Sequence, residues 1–492
     1  MTGRPTRDQP PSRPSTWDLF RGVRGRLVLG LLTLELVGAV QALITVAILP
    51  TVSGDLGMAR LAPWTFTASS CAAIAAFAVS GRWVDRAGPL VALALGIPLT
   101  AIGLLLAALA RSMPVLVGAR AVEGFGLGLQ GTVALSAVAT MFAPSVRPRL
   151  LALTSTMWVL PGVVAPGLGI AVTAAVGWRW VFAGFLPLLA VAALLVLPPL
   201  RALTAPGTHA PFATAGARTQ PAMTTAAVAS RLALAVGAAA VLAVLQVPGG
   251  AAVRVPLAVV GAAVFGWGVR ALVLVELRGR LGRDLAVAML AGFCIGGAYF
   301  GTDSVLPLVV HAHGGSTYVA GLALTAASVA WAAGSWWQTR LLRTRSLRAV
   351  LRDGALLLAV GILATSLTQA HAGGRWIAAV PVALGVAALG MGLCYPTVSL
   401  LAVGGRPALG SLPDTGSEQP DGSGTAGTGD AAGTGDAAGL TLLAGALGPA
   451  VSIGSLGVFA STGGRSGEIV SAIALVGLAA AAAVLGALGR AR

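Results

Sequence analysis

GRWVDRAGP, residues 81–89, is a charged turn set between two long apolar runs, 63–80 and 90–110. Neither run contains an Asp, Glu or Arg, so the chain concentrates its charge in the nine residues between them. The same alternation continues in both directions. Apolar runs lie at 27–49, 63–80, 90–110, 114–141, 150–175 and 179–199, then at 223–246 and 253–275. Six more lie at 286–309, 318–339, 349–368, 376–402, 439–461 and 469–489. Each is long enough to cross a hydrocarbon layer as a helix. The 492 residues are 56% hydrophobic and only 10% charged, against about 25% charged in an ordinary soluble domain. A bilayer must therefore serve as solvent, and there each backbone N–H and C=O needs an internal partner. The runs are continuous, with no period-two alternation, so they predict helices and not a barrel.

The expected architecture is an all-α membrane protein with 14 transmembrane helices arranged six, two and six, or 12 if the pair 223–246 and 253–275 lies on the membrane surface. By segment, this gives a cytoplasmic tail at 1–26, a six-helix half at 27–199 and a linker with two extra helices at 200–285. A second six-helix half follows at 286–489. Within it, 403–438 contains two overlapping copies of GTGDAAG and is rich in Gly, Thr, Ser and Asp, a composition that predicts a disordered cytoplasmic loop.

Charge sets the orientation. The net charge is +16, from 32 basic and 16 acidic residues, and every basic residue is Arg. With the N-terminus inside, 23 arginines fall on the inner side, six fall on the outer side, and Arg120, Arg231 and Arg270 lie within spans. This asymmetry predicts both termini in the cytoplasm of a plasma-membrane protein. The arginines sit in short gaps and not in one folded patch, which argues against nucleic acid as a partner. Cys71, Cys294 and Cys394 lie far apart inside apolar runs, with no metal or disulfide spacing. No phosphate-binding Walker sequence appears, and no metal or other cofactor is implied.

Three motifs carry chemistry. In the 81–89 turn, Gly81 permits close helix approach and Gly88 a tight turn, while Asp85 can cap a helix N-terminus or pair with an arginine. Arg86 can meet carbonyls or a carboxylate. The alternative is an ordinary polar turn. In the fourth run, RAVEGFGLGLQG (residues 120–131) places Arg120 and Glu123 three apart on one helical face. They form either a structural ion pair or an arginine tuning a carboxyl's proton affinity. The fifth run carries PGVVAPGLG (161–169), followed by GWRWVF (177–182). Its Gly162, Pro166, Gly167 and Gly169 supply small contacts and a kink.

Together these stretches resemble the signatures of the major facilitator superfamily: the Gly, Asp-Arg, Gly latch after helix two, the Arg of helix four, and the helix-five signature of exporting branches. This sequence departs at Glu123, where Gln is common, and at Ala165 and Ile170, where Gly is common. GSWWQTR (334–340), where the latch would recur in the second half, lacks the Asp. Six plus two plus six helices resemble the 14-helix drug:proton antiporter branch. The resemblance implies two pseudo-symmetric halves with a central site, a functional monomer, no enzymatic activity, and export of small amphipathic or cationic compounds in exchange for protons.

Charge placed inside a span points to mechanism. An Asp or Arg at mid-span costs about 2.5–3.5 kcal/mol on insertion scales. Glu35, among Leu34, Leu36 and Val37, is either a proton or cation site or a hydrogen-bonded structural group. Related antiporters place an Asp further along this helix, at a position that here is Gln41. Asp303, beside Thr302 and Ser304, is either a proton or substrate carboxylate or an interfacial cap near the outer end. Trp158, Phe300, Trp331 and Trp336 could line a cavity for flat cations or serve as interfacial belt and packing. His311 and His313 fit a solvated outer loop better than a sensor or metal site. Two other functions compete: a metabolite or lipid-precursor uniporter or importer, and a polytopic membrane transferase, which would need clustered catalytic residues in loops.

Overall fold

A computed structural model describes residues 19–58, 61–62, 64–204, 225–244, 251–272, 283–312, 317–370, 379–403, 434–462 and 464–487. The described residues form sixteen α-helices and no strand. The first group is α1 (Gly22–Leu56), α2 (Trp64–Ala87), α3 (Pro89–Ala108), α4 (Met113–Met141), α5 (Arg147–Thr156), α6 (Val159–Val176), α7 (Arg179–Ala183) and α8 (Phe185–Thr204). A pair follows, α9 (Thr225–Val244) and α10 (Ala251–Leu272). The last group is α11 (Arg283–Ala312), α12 (Thr317–Leu341), α13 (Leu347–Ala370), α14 (Val380–Ala402), α15 (Thr434–Thr462) and α16 (Gly464–Ala487).

Ten helices are long and apolar enough to cross a bilayer, or eleven when the bent α5–α6 pair is taken as one span. α10 qualifies through Val255–Leu272, whereas α9 and α16 contribute the shorter apolar stretches Ala229–Ala240 and Ile473–Ala487. Large apolar side chains point outward, among them Leu194, Val260 and Val382. Such a surface would be unstable in water and suits lipid.

Helices pack within two halves. α2 and α3 lie on α4, and α1 lies on α6 and α8; in the second half, α12 and α13 lie on α14, and α11 lies on α15 and α16. Lipid tails are as apolar as leucine, so close van der Waals contact is what holds helices together in a membrane. Small residues provide it. A Cβ on Gly126 would stand 2.7 Å from the Gly96 carbonyl oxygen, and one on Gly448 would stand 2.8 Å from the Gly297 nitrogen.

The fifth span differs from the uninterrupted run read from sequence. It stops at Thr156 and restarts at Val159, and its 147–162 and 167–176 portions are inclined by 52°. Pro161 and Pro166 each lack the N–H that would continue the ladder, which permits the bend. Another boundary difference lies in the 403–438 segment. Residues 404–433 fall outside the described residues, but 434–438 are the first turn of α15. Here α2 supplies the hydrogen-bond acceptors that a helix N-terminus lacks. His313 and the side chain of His311 also fall outside the described residues.

The halves touch at one end of the bundle, termed here the basic end, which holds Arg24, Arg26, Arg82, Arg147 and Arg149. There α2 and α4 meet α15, and α5 meets α12 and α14. The Trp336 indole donates to Thr156 Oγ1 across this seam at 3.0 Å.

Candidate functional site

Two polar constellations occupy the space between and within the halves. The first begins at the α5–α6 break. Trp158 stands at the N-cap of α6, where the interrupted helix turns its indole toward α1. Its Nε1 donates to Glu35 Oε1 at 2.8 Å, and both side chains are partly open. Opposite, the second half presents aromatic rings from three helices. Tyr299 and Phe300 come from α11, Trp331 from α12 and Tyr395 from α14. Tyr299 meets Trp331 edge to face at 5.2 Å between centroids, and Trp331 meets Tyr395 at 5.7 Å. Phe300 closes the set, at 5.4 Å from Tyr299 and 5.8 Å from Trp331. Of this set, Tyr395 lies within electrostatic reach of Glu35. The Trp331 indole nitrogen is buried without a hydrogen-bond partner. Asp303 follows Tyr299 by one turn of α11 and is half-buried. The structure thus joins Trp158 to Glu35, and Phe300 to Trp331 together with Tyr299 and Tyr395, which the sequence reading passed over. A tyrosine in an apolar run looks like any interfacial aromatic until three helices are packed.

The second constellation lies inside the first half. Arg120 and Glu123 are almost completely buried, at 3% and 0% exposure, and Arg120 Nη1 binds Glu123 Oε2 at 2.5 Å. Gly103 of α3 backs directly onto Glu123, leaving no room for a side chain between α3 and α4. Gln41 of α1 is beside Glu123 and 1% exposed. Neither end of the Gln41 amide, nor Glu123 Oε1, nor Arg120 Nε, meets a well-formed hydrogen bond within the protein. Buried polar atoms in such number are normally satisfied by ordered water. The structure therefore separates Gln41 from the aromatic set and joins it to the Arg120–Glu123 pair.

The 81–89 stretch, read from sequence as a turn, is instead the last two turns of α2 through Ala87, with Gly88 alone joining it to α3, and it reaches the other half. Gly88 has φ +83°, a value glycine adopts without strain, and Pro89 opens α3. Asp85 accepts hydrogen bonds from the backbone N–H groups of Gly435 and Asp436, at 2.7 and 2.8 Å. It is thus the cap and the favourable charge for the N-terminus of α15. A Cβ on Gly81 would stand 2.7 Å from Asp436 Cα, so only glycine allows this approach. Arg82, which the sequence reading did not single out, donates to Asp436 Oδ2 at 3.3 Å. Arg86 is exposed at the end of α2.

Of the helix-five residues, Gly169 packs against Ile44 and Ile48 of α1, and Gly162 lies against Ser328 of α12. Gly167 faces open space, and the side chain of Pro166 lies outside the described residues. At the far end, Trp178 donates to Asp55 at 2.9 Å, and Arg179 covers the Trp178 ring while donating to the Ala110 carbonyl. The three cysteines are free, and among the described residues no His, Cys, Asp and Glu cluster could hold a metal.

Comparison with known proteins agrees with this architecture. The chain is 27% identical to the probable multidrug-efflux transporter Rv1634 of Mycobacterium tuberculosis (strain ATCC 25618 / H37Rv) over 375 residues, 74% of this chain and 77% of that protein. It is 24% identical over 170 residues to the multidrug efflux pump SdrM of Staphylococcus aureus (strain N315), 35% of this chain and 38% of the relative's length. The fold is similar to that of the human organic anion transporter MFSD10, with a TM-score of 0.61 at 16% identity, covering 95% of this chain and 98% of that one. The E. coli fucose:proton symporter FucP follows, with a TM-score of 0.59 at 16% identity, covering 94% and 98%. The sequence profile of the Major Facilitator Superfamily matches residues 31–408. That profile covers most of the sequence, and the chain belongs to the Major Facilitator Superfamily.

Proposed function

We propose that this superfamily transporter exports small amphipathic cations in exchange for protons. The observation that carries the reading is the Glu35 carboxylate held by the Trp158 indole, with Tyr395 of the Tyr299, Phe300, Trp331 and Tyr395 aromatic set within its electrostatic reach. A carboxylate facing aromatic faces suits a flat, apolar, positively charged molecule, through charge pairing and cation–π contact. Such a site needs no fixed hydrogen-bond pattern, so it accepts many compounds of that class. Efflux is also what Rv1634 and SdrM are named for.

Protonation of Glu35 removes the charge that holds a cation, so proton and substrate compete for one group. The Arg120–Glu123–Gln41 chamber gives the first half a second place to store a proton, and Asp303 is the corresponding carboxylate of the second half. The basic end lies in the cytoplasm and the protein works as a monomer in the plasma membrane. With the basic end closed, substrate leaves outward and protons enter. After the halves rock about the central site, substrate enters from the cytoplasm.

Inside-out vesicles energised to an acidic lumen, carrying a lumenal pH reporter, test this. Cationic dyes added to wild type should trigger proton efflux. Glu35→Gln should lose both dye competition and proton movement, whereas Asp303→Asn and Glu123→Gln should slow proton movement while dye still binds. Dye crossing in wild type with no proton movement would replace exchange by facilitated diffusion.

A further inference from the structure

The α9–α10 pair lies outside both six-helix halves. Gly237 and Gly268 let its two helices touch closely: a Cβ on Gly237 would stand 2.6 Å from the Phe265 nitrogen, and one on Gly268 would stand 2.9 Å from the Leu234 nitrogen. The pair is therefore a stiff hairpin. α9 packs on α2 and α15, and Arg231, Leu234, Ala235 and Ala238 are buried along it, Leu234 against Gly268 of α10. Three of these are ordinary apolar contacts. Arg231 is different, for it is 0% exposed although its guanidinium cannot lose its charge.

Its partners come from both halves. Arg231 Nη1 donates to Asp436 Oδ1 at 2.6 Å, and Nη2 donates to Oδ2 at 3.1 Å, a two-pronged pairing with α15. Nη1 also reaches the Ala78 carbonyl of α2 at 3.3 Å. Asp436 is 3% exposed and sits where Asp85 caps α15. One carboxylate thus binds Arg82 from the first half and Arg231 from the hairpin.

We infer that the α9–α10 hairpin is a clasp on the seam between the halves, holding the basic end shut through Arg231 on Asp436. Close packing contributes to holding the hairpin, as it does elsewhere in the bundle, but lipid competes for the same surfaces. A fully desolvated, two-pronged ion pair anchors it to α15, since parting the pair would expose two unpaired charges to a poor solvent, and opening then has to break the Arg231–Ala78 hydrogen bond and the α9–α2 contact. When the seam opens, Ala78 and Asp436 move apart, and Arg231 cannot keep both. It stays with the carboxylate, its stronger partner, and the hairpin swings away from α2. The extra helices therefore set how readily the halves part.

The test uses the full chain in nanodiscs, with Cys71, Cys294 and Cys394 replaced and spin labels on Ala87→Cys and Thr344→Cys, both exposed at the basic end on opposite halves. Wild type should give one dominant short distance by electron–electron double resonance. Arg231→Gln and Asp436→Asn should each at least triple the share of a longer distance, and the double variant should add nothing beyond the larger single effect. Arg231→Lys, which keeps charge but not the two-pronged geometry, should open the seam partially and serves if the Gln variant does not fold. Unchanged distances in Arg231→Lys and Asp436→Asn would overturn the clasp. So would opening in Asp436→Asn with none in either Arg231 variant, which assigns the seam to α2 and α15 alone. The readout needs no substrate, so it stands or falls apart from the export reading.

Discussion

At Glu35 the Trp158 indole fixes one carboxylate oxygen at 2.8 Å. A hydrogen bond to a charged group contributes about 1.5–3 kcal/mol, so Trp158→Phe should weaken the site by roughly ten- to a hundredfold. Measured as the dye concentration for half-maximal transport, the loss should fall on affinity before maximal rate. Arg120 and Glu123 call for a different measurement. Removing one member of a buried pair costs about 3–5 kcal/mol, because the other charge stays behind unpaired. Glu123→Ala should therefore lower the denaturation midpoint in detergent markedly, and Arg120→Leu/Glu123→Leu should recover most of it. Glu35, Asp303, Arg120 and Glu123 are legible as residues that cost energy inside an apolar run. Tyr299 and Tyr395 are not, since nothing in their local sequence distinguishes a cavity aromatic from an interfacial one.

Among the helices, the seam between α2 and α15 depends on the absence of a side chain. In Gly81→Ala the new methyl would strike the Gly435 carbonyl and the Asp436 backbone, groups that a rotamer change cannot move. The variant should insert normally but transport at least tenfold more slowly, read as dye export per molecule of protein in the membrane. Asp85→Ala removes the cap of α15, a loss of about 0.5–2 kcal/mol, and should speed hydrogen exchange at the Gly435 and Asp436 amides. The Gly81, Asp85 and Gly88 pattern is visible in the sequence as a turn with a capping acid. The helix it caps is not visible, because residues 434–438 read as part of a polar low-complexity segment. Once Asp85 supplies acceptors for its first N–H groups, the same residues become helical. The α5–α6 break is half legible. Pro161 and Pro166 announce a bend, but the indole it turns toward Glu35 is known only from the fold.

Across the whole molecule, the halves meet at the basic end through Asp85 and through Trp336 on Thr156. A cleavable cross-link between Thr156→Cys and Trp336→Cys should stop transport, and reduction of the linker should restore it. Failure to inhibit would mean that the halves need not part there. The superfamily and its helical character could be read from one dimension. Runs of twenty apolar residues, charges gathered in short turns and a handful of signature residues report the chain's solvent, and solvent preference is a local property of sequence. Which carboxylate faces aromatic rings, which glycine touches the opposite half and what Arg231 binds could not be read in that way. Those contacts join residues 123, 350 and 205 positions apart. In a bilayer, hydrophobicity places every helix in the membrane but does not choose its neighbours. Close packing and a few buried polar pairs make that choice, and they exist only after the helices assemble.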